Sequence, residues 1–158
     1  MVEQGGVLGA VRERLLSSAV VKKALPGGCH ANELVADAGL SYPAAVLRLP
    51  RSEFKWYGVG PSPQGPAPVR REWIERPRVE VWVEALDAFD GEAVARLCAA
   101  RLTDQPLPWA GGETIQVYPV DLFLHPETSR AASGKRQYSW CAAFELWLGV
   151  TGPVAGQA

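Results

Sequence analysis

Few residues in this chain have the types and spacing that catalysis or metal binding requires. Asp121, His125 and Glu127 follow one another at the end of a β-rich segment, and their oxygen and nitrogen atoms are suitable metal ligands. The whole chain holds 2 histidines, so a zinc site is the weaker interpretation. We expect a solvated turn here, and we predict no metal.

Two further arrangements fall short of a catalytic or nucleotide site. Cys29 directly precedes His30, which does not place a base beside a thiolate, and no third residue orients the pair. Gly134-Lys135-Arg136 resembles the end of a phosphate-binding loop. Ser129, however, stands where that loop needs glycine, and Arg136 stands where it needs serine or threonine. The sequence therefore predicts neither a catalytic centre nor a cofactor.

The number and spacing of the cysteines also argue against a metal site. The chain has 3 cysteines, Cys29, Cys98 and Cys141, with no CxxC pair among them. An odd number without that spacing fits neither a secreted disulfide framework nor a zinc ribbon. We predict reduced, buried thiols, because a free cysteine behaves as a small hydrophobic residue.

The length and the net charge of the chain limit the classes of protein to which it could belong. The 158 residues favour one domain, over residues 1–158. A net charge of -1 removes the main electrostatic argument for a dedicated nucleic-acid binder. Charged residues near the start, Glu3 and Arg12 among them, interrupt the apolar stretch that a signal peptide needs. We expect a soluble chain without a membrane span.

Two main helices are predicted. Apolar residues at helical spacing indicate an amphipathic helix over residues 4–25, ended by Pro26-Gly27-Gly28. A second helix is predicted over Gly91–Leu102, with Asp90 as its N-cap and an apolar stripe of Val94, Leu97, Cys98 and Leu102. A short helical turn is also predicted from Asn32 to Ala38.

The remaining segments predict strands and loops. The predicted strands are Ala44–Leu49, Phe54–Tyr57, Arg78–Ala85, Thr114–Leu124 and Gln137–Val150. Pro119 indicates a bulge or an edge position in the fourth of them. Residues 58–70 are predicted to form a projecting loop rich in glycine and proline, and residues 152–158 a flexible tail. The predicted fold is α+β, with an antiparallel or mixed sheet of four to five strands and two main helices on one face.

The strand Arg78–Ala85 suggests a binding surface. Its alternation places Val79, Val81 and Val83 on one face and a large aromatic residue between two carboxylates on the other. We therefore predict that Glu80, Trp82 and Glu84 form half of a protomer or tube interface. Arginines flank this strand, and we predict that they contribute to the other half or to the tube contact: Arg70, Arg71, Arg76 and Arg78.

The order of these elements resembles the tail-terminator or tail-completion proteins of long-tailed bacteriophages. The similarity rests on Val79–Ala85 followed by the turn Asp87–Asp90 and the helix Gly91–Leu102, on the opening helix Val7–Leu25, on Tyr42-Pro43, and on the closing strand Tyr138–Leu148. It is one of pattern over residues 4–150, without a catalytic motif.

The resemblance implies a non-enzymatic virion protein that is assembled in the host cytoplasm. Six copies would form a ring that caps the tail tube, stops its polymerisation and joins the tail to the neck. Its partners would be the tail tube protein, a neck or connector protein and, in some tails, a sheath. DNA would only pass through the lumen. Two alternatives stay open: a neighbouring head–tail adaptor or stopper of the neck, and a small soluble enzyme with an unrecognised pocket.

Overall fold

The chain forms three helices and seven strands within the part that the structure describes. This computed structural model describes residues 6–34, 39–59, 70–108 and 114–153, with side chains except those of residues 52–75, 114 and 148–153. In chain order the elements are α1 (Gly6–Leu16), α2 (Ala19–Ala24), β1 (Cys29–Ala31), β2 (Ala44–Val59), β3 (Arg70–Ala85), α3 (Ala88–Thr103), β4 (Leu107–Pro108), β5 (Thr114–Leu124), β6 (Ser129–Arg130) and β7 (Arg136–Pro153). None of the described helices is long and apolar enough to span a membrane.

The strands form one mixed sheet. Its order is β1-β2-β3-β7-β5-β4, and β6 pairs with β7. The pair β1–β2 is parallel, and the other described pairs are antiparallel. The predicted α+β class is confirmed, with four long strands and three short ones in place of the four to five expected.

The core lies between one face of this sheet and the helices. Val79, Val81, Val83 and Ala85 of β3 are all 0% exposed, as their alternation predicts. The helices reach the same cluster with residues from α1, α2 and α3: Val11, Leu15, Val21, Val94, Ala95, Cys98 and Leu102. The helices thus cover one face of the sheet, as predicted. Leu97 packs against the cluster but is only partly buried.

Helix α3 begins three residues earlier than predicted. The Asp87 side chain accepts hydrogen bonds from the backbone N–H groups of Phe89 and Asp90, so Asp87 is the N-cap. The prediction of Asp90 as the cap was wrong. Aspartate is favoured both at the cap and in the first turn, so the pair Asp87 and Asp90 suits either start.

The single opening helix that was predicted is two helices. α1 ends at Leu16, and Ser18 caps α2 by accepting a hydrogen bond from Val21 N–H. Ala19, one of the apolar residues at helical spacing from which the single helix was predicted, is exposed. The predicted turn from Asn32 is also wrong at its start, because Asn32 has a φ of 69° and follows β1. Its residues 35–38 lie outside the described part of the chain.

The hairpin β2–β3 is much longer than expected. β2 continues through Pro50, where a register shift separates Arg48 from Arg51, and it includes Gly58 and Val59. β3 begins at Arg70, and β7 runs through Pro153 beside it. We call the three-stranded extension formed by 51–59, 70–77 and 148–153 the arm. Residues 60–69 of the predicted loop and 154–158 of the predicted tail lie outside the described residues.

A second irregularity confirms a prediction made from Pro119. The pairing of β5 with β7 shifts register between Pro119 and Asp121, which leaves Val120 as the extra residue of a bulge. All three cysteines are free and buried, as predicted.

Truncating Leu102 and Leu97 of α3 should distinguish a fully buried position from a partly buried one. Leu102 is 1% exposed, so Leu102→Ala should lower the free energy of unfolding by about 2–5 kcal/mol. Leu97→Ala should cost less, because part of that side chain already contacts solvent. Urea denaturation of both variants measures the difference, and equal losses would mean that the helix presents another face to the sheet.

The buried thiols should make stability fall at alkaline pH. Burial raises the pKa of Cys98 and of Cys141 from 9.0 to about 12, and that of Cys29 to about 11. Above pH 9 the unfolded chain loses thiol protons that the folded chain keeps. The free energy of unfolding should therefore decrease, by up to about 1.4 kcal/mol per pH unit for each thiol.

Denaturation midpoints from pH 8 to 11 measure this slope. Cys98→Ala is the matched variant and should show a shallower decline than the unmodified chain. An unchanged slope would show that the thiols do not contribute.

Candidate functional site

The helices that the structure describes cover one face of the sheet, and the other face carries its most distinctive side chains. We call this second face the open face. Alternation along each strand and the pairing between strands bring its residues together. They are Arg48 of β2; Arg76, Arg78, Glu80, Trp82 and Glu84 of β3; Ser139, Cys141, Ala143, Glu145 and Trp147 of β7; and Tyr118, Asp121 and Phe123 of β5.

Three successive open-face residues of β3 form a hydrogen-bonded triad. Arg78 Nε donates to Glu80 Oε2 at 3.2 Å, and Trp82 Nε1 donates to Glu80 Oε1 at 3.3 Å. The Trp82 ring packs edge-on against Phe123, with centroids 5.6 Å apart, and against His125 at 5.9 Å. The carboxylate thus neutralises the arginine and orients the indole, and all three side chains are half-buried.

A second triad lies on β7 and β3, and of its residues only Arg76 was predicted to belong to an interface. Trp147 Nε1 donates to Glu145 Oε1 at 2.7 Å, and Arg76 NH1 lies 3.6 Å from that same oxygen. The Arg76 guanidinium also lies over the Trp147 ring, 5.7 Å from its centroid. Tyr118 packs beside Trp147 at 5.2 Å. Alternation along β7 already places Glu145 and Trp147 on one side of the strand. That pattern in the sequence could have identified them as neighbours on one face.

The two triads run in opposite directions and place their tryptophans far apart. Trp82 pairs with Cys141, and Trp147 lies six residue steps further along β7, which is about 20 Å of extended strand. Between the tryptophans stand Arg78, Glu80 and Glu145, and Arg76 lies at the level of Trp147. The open face therefore has paired charges on β3 and β7 at its centre and an aromatic cluster toward each end, with the further charged residues Arg48, Asp121 and Glu84 around them.

The predicted site residues are only partly where the sequence placed them. Glu80, Trp82 and Glu84 share a face, as expected. Arg76 and Arg78 lie on that same face and pair with its glutamates. These two arginines therefore do not form a separate second surface. The side chains of Arg70 and Arg71 lie outside the described set.

Glu84 borders a shallow pocket at the Trp82 end of the open face. Its carboxylate accepts hydrogen bonds from Ser139 Oγ and from Gln137 Nε2, the latter at 2.9 Å. The pocket has a volume of about 300 Å³ and is open to solvent. Its lining mixes both charges and includes Arg48, Trp82, Glu84, His125 and Glu127.

The residues considered for catalysis or metal binding do not converge in the described part of the chain. His30 Nε2 is bound to Gly27 O at 2.7 Å, and His125 Nδ1 lies 3.1 Å from the backbone of Glu127. Within the described residues, no three His, Cys, Asp or Glu side chains are grouped so as to hold a metal ion. Burial keeps the pKa of Cys29 near 11, so its thiol is protonated at neutral pH.

Comparison with known proteins gives a structural relationship without a sequence relationship. No protein-family model and no curated protein sequence matches the chain. A solved structure of the virion of a native gene transfer agent (GTA) particle contains a chain with a similar fold, at a TM-score of 0.50 and 14% sequence identity. The match covers 92% of this chain and 96% of the other. The protein therefore shares its fold, over nearly the whole length of both chains, with a chain of that virion particle.

Proposed function

We propose that this protein is a structural subunit of a phage-like virion that forms a hexameric ring at the end of a tail tube. The ring stops tube polymerisation and joins the tail to the neck. Its partners are further copies of the chain, the tail tube protein and a neck protein. The open face with Glu80, Trp82 and Glu84 is the surface through which the subunit meets its neighbour.

The fold supports this proposal through the completeness of the match. The two chains correspond over almost their full lengths, so the relationship concerns the whole subunit rather than one shared motif. The matched chain belongs to a virion particle, which is consistent with the element order that resembles tail terminators. Fold similarity alone does not determine function. The remaining support for the proposal has to come from the residues on the surface of the protein.

The single observation that carries the proposal is the pairing of charges on the open face. Arg78 and Arg76 are bound by Glu80 and Glu145 within the chain. A partner that covers the two triads leaves both of these ion pairs intact, and so avoids the several kcal/mol that burying an unpaired charge costs. The tryptophans and arginines that it presents are the residue types that dominate binding energy in protein interfaces.

The same pairing argues against DNA as the ligand of this face. Phosphate binding depends on arginine and lysine side chains whose charge is available to the phosphates. Here the nearest anion to each triad arginine is a glutamate of the same chain. DNA that passes through the ring would therefore not be held by these two side chains.

Removing the indole of Trp82 should weaken assembly. We expect Trp82→Ala to raise the dissociation constant of the ring by about thirtyfold, since a buried interface tryptophan contributes about 2 kcal/mol. Native mass spectrometry across a concentration series measures the shift.

Phe89→Ala is the matched control. Phe89 is an aromatic residue that is 81% exposed on α3, away from the open face, so its loss should leave assembly unchanged. Circular dichroism verifies that both variants fold. A Trp82→Ala protein that forms the same ring at the same concentration would contradict the assignment of this face.

A further inference from the structure

A short hairpin at one end of the sheet carries cations that have no carboxylate partner. It consists of β6, the turn that follows and the first residues of β7, and we call residues 129–137 the basic hairpin. Its sequence contains no aspartate or glutamate and three cations, Arg130, Lys135 and Arg136. All three are exposed. Among the described residues, none of the three forms an ion pair.

The backbone of the basic hairpin forms a hydrogen-bonded turn. Ala131 is only 6% exposed, its N–H donates to Lys135 O at 2.9 Å, and its carbonyl accepts from Gly134 N–H at 2.8 Å. Gly134 has a φ of 82°, a left-handed conformation that glycine adopts without steric cost. Arg130 NH1 donates to Gly134 O at 2.9 Å, which satisfies one donor but leaves the positive charge without a counterion. The turn thus holds the cations in a defined arrangement.

Two of these cations lie directly opposite each other. Arg130 is the cross-strand partner of Arg136, and directly opposite residues of an antiparallel pair have their Cβ atoms about 4.5–5.5 Å apart on the same face. Like charges in that position destabilise the pairing. Lys135, next to Arg136 in sequence, adds a third charge. An anion bound among these side chains would offset their repulsion, so the arrangement suits an anionic ligand.

The residue types of the basic hairpin favour phosphate over a protein surface. Protein interfaces obtain most of their affinity from large aromatic side chains and arginine, whereas lysine, serine and alanine are depleted in them. The hairpin contains no aromatic or large aliphatic residue. Its arginine, lysine, serine and glutamine side chains are instead the types that contact phosphate oxygens.

The basic hairpin lies far from the arginines that glutamates neutralise. Arg78 pairs with Glu145 in the sheet, which is nine residue steps along β7 from Arg136, or about 30 Å of extended strand. The ion pairs that argue against DNA on the open face therefore do not apply at the hairpin. The carboxylate closest to it in sequence is Glu127, and its single negative charge does not balance three cations.

We propose that the basic hairpin binds the phosphodiester backbone of double-stranded DNA. The contact is made to phosphates alone, so it does not depend on base sequence. The inference rests on the proposed function only for the source of the DNA, which passes through the ring. Cyclic symmetry then presents one hairpin from each subunit at the same distance from the ring axis.

The test removes two charges from the hairpin and, as a matched control, two charges from a helix. Lys135→Gln with Arg136→Gln is the hairpin variant, and it keeps Arg130 because that side chain bonds to the turn. Lys22→Gln with Lys23→Gln is the control, since both lysines are exposed on α2. Fluorescence anisotropy with a DNA duplex of mixed sequence measures the dissociation constant as NaCl is raised.

The salt dependence gives the expected result. Each phosphate contact contributes about −0.9 to the slope of log affinity against log salt concentration, so each bound hairpin should contribute about −2.7 in the unmodified chain and about −0.9 in the hairpin variant. With one hairpin bound, raising NaCl from 50 to 200 mM should weaken binding about fortyfold for the unmodified chain and about 3.5-fold for the variant. The α2 control should keep the slope of the unmodified chain.

A charge-preserving variant separates loss of charge from loss of structure. Lys135→Arg with Arg136→Lys keeps all three cations and should bind DNA as the unmodified chain does. An unmodified chain that does not bind the duplex in 50 mM NaCl would overturn the proposal. An unchanged slope in the hairpin variant, or an equal loss in the α2 control, would also overturn it.

Sedimentation velocity on the same proteins distinguishes this inference from the proposed ring. A hairpin variant that still forms rings but has lost DNA affinity supports the DNA contact. Joint loss of rings and of DNA binding would overturn it, because the hairpin would then contact an acidic surface of another copy. An unmodified chain that binds DNA through the hairpin but stays monomeric at every concentration would overturn the ring and leave the DNA contact standing.

Discussion

Strand β3 lies in the middle of the sheet, and all three described helices pack on the same one of its two faces. Val79, Val81, Val83 and Ala85 are fully buried beneath them. Because side chains alternate along a strand, the residues between these four must occupy the opposite face. None of the described helices covers that face, and it carries large, half-polar side chains. The position of the helices on one side thus determines what the subunit shows to its surroundings.

Different kinds of interaction stabilise the two faces of the sheet. The helix side excludes water with close-packed aliphatic residues, and this burial drives folding. The open face instead combines hydrogen bonds with ring packing: each tryptophan N–H donates to a glutamate that also binds an arginine. Such fixed side chains lose little conformational freedom when another surface covers them. A face of this kind is stable in water and is also ready to be buried.

The sequence predicted the features that depend on a periodic pattern of residues. It did not predict those in which residues that disfavour strands lie within a strand. The alternation of β3, the stripe of α3 and the bulge at Pro119 follow from local patterns, and the structure confirms them. The long arm was missed because Pro50 and Gly58 argue against a continuous strand. Pairing across the hairpin overrides that local preference, and a single sequence does not reveal such long-range contacts.

The residues of the open face likewise divide into those that a local pattern predicted and those that depend on long-range pairing. Trp82 was identified because alternation along one strand places it between Glu80 and Glu84, on the face opposite the valines. The second triad joins Arg76 of β3 to Glu145 and Trp147 of β7, and its existence depends on the register between two strands far apart in sequence. The common face of Arg76, Arg78 and Glu80, by contrast, follows from their even spacing alone. It could have been predicted from the alternation that placed Trp82.

Two prolines stand at nearly the same level of the sheet, where the arm leaves the body. Pro50 lies in the register shift of β2 just before Arg51, which pairs with Arg78, and Pro77 pairs with Ser52 beside it. Neither can donate a backbone hydrogen bond, so the sheet has fewer cross-links at this level than in the rows above and below. Bending stiffness is lowest where cross-links are fewest. We therefore expect the sheet to bend more easily at this junction than in the rows above and below it.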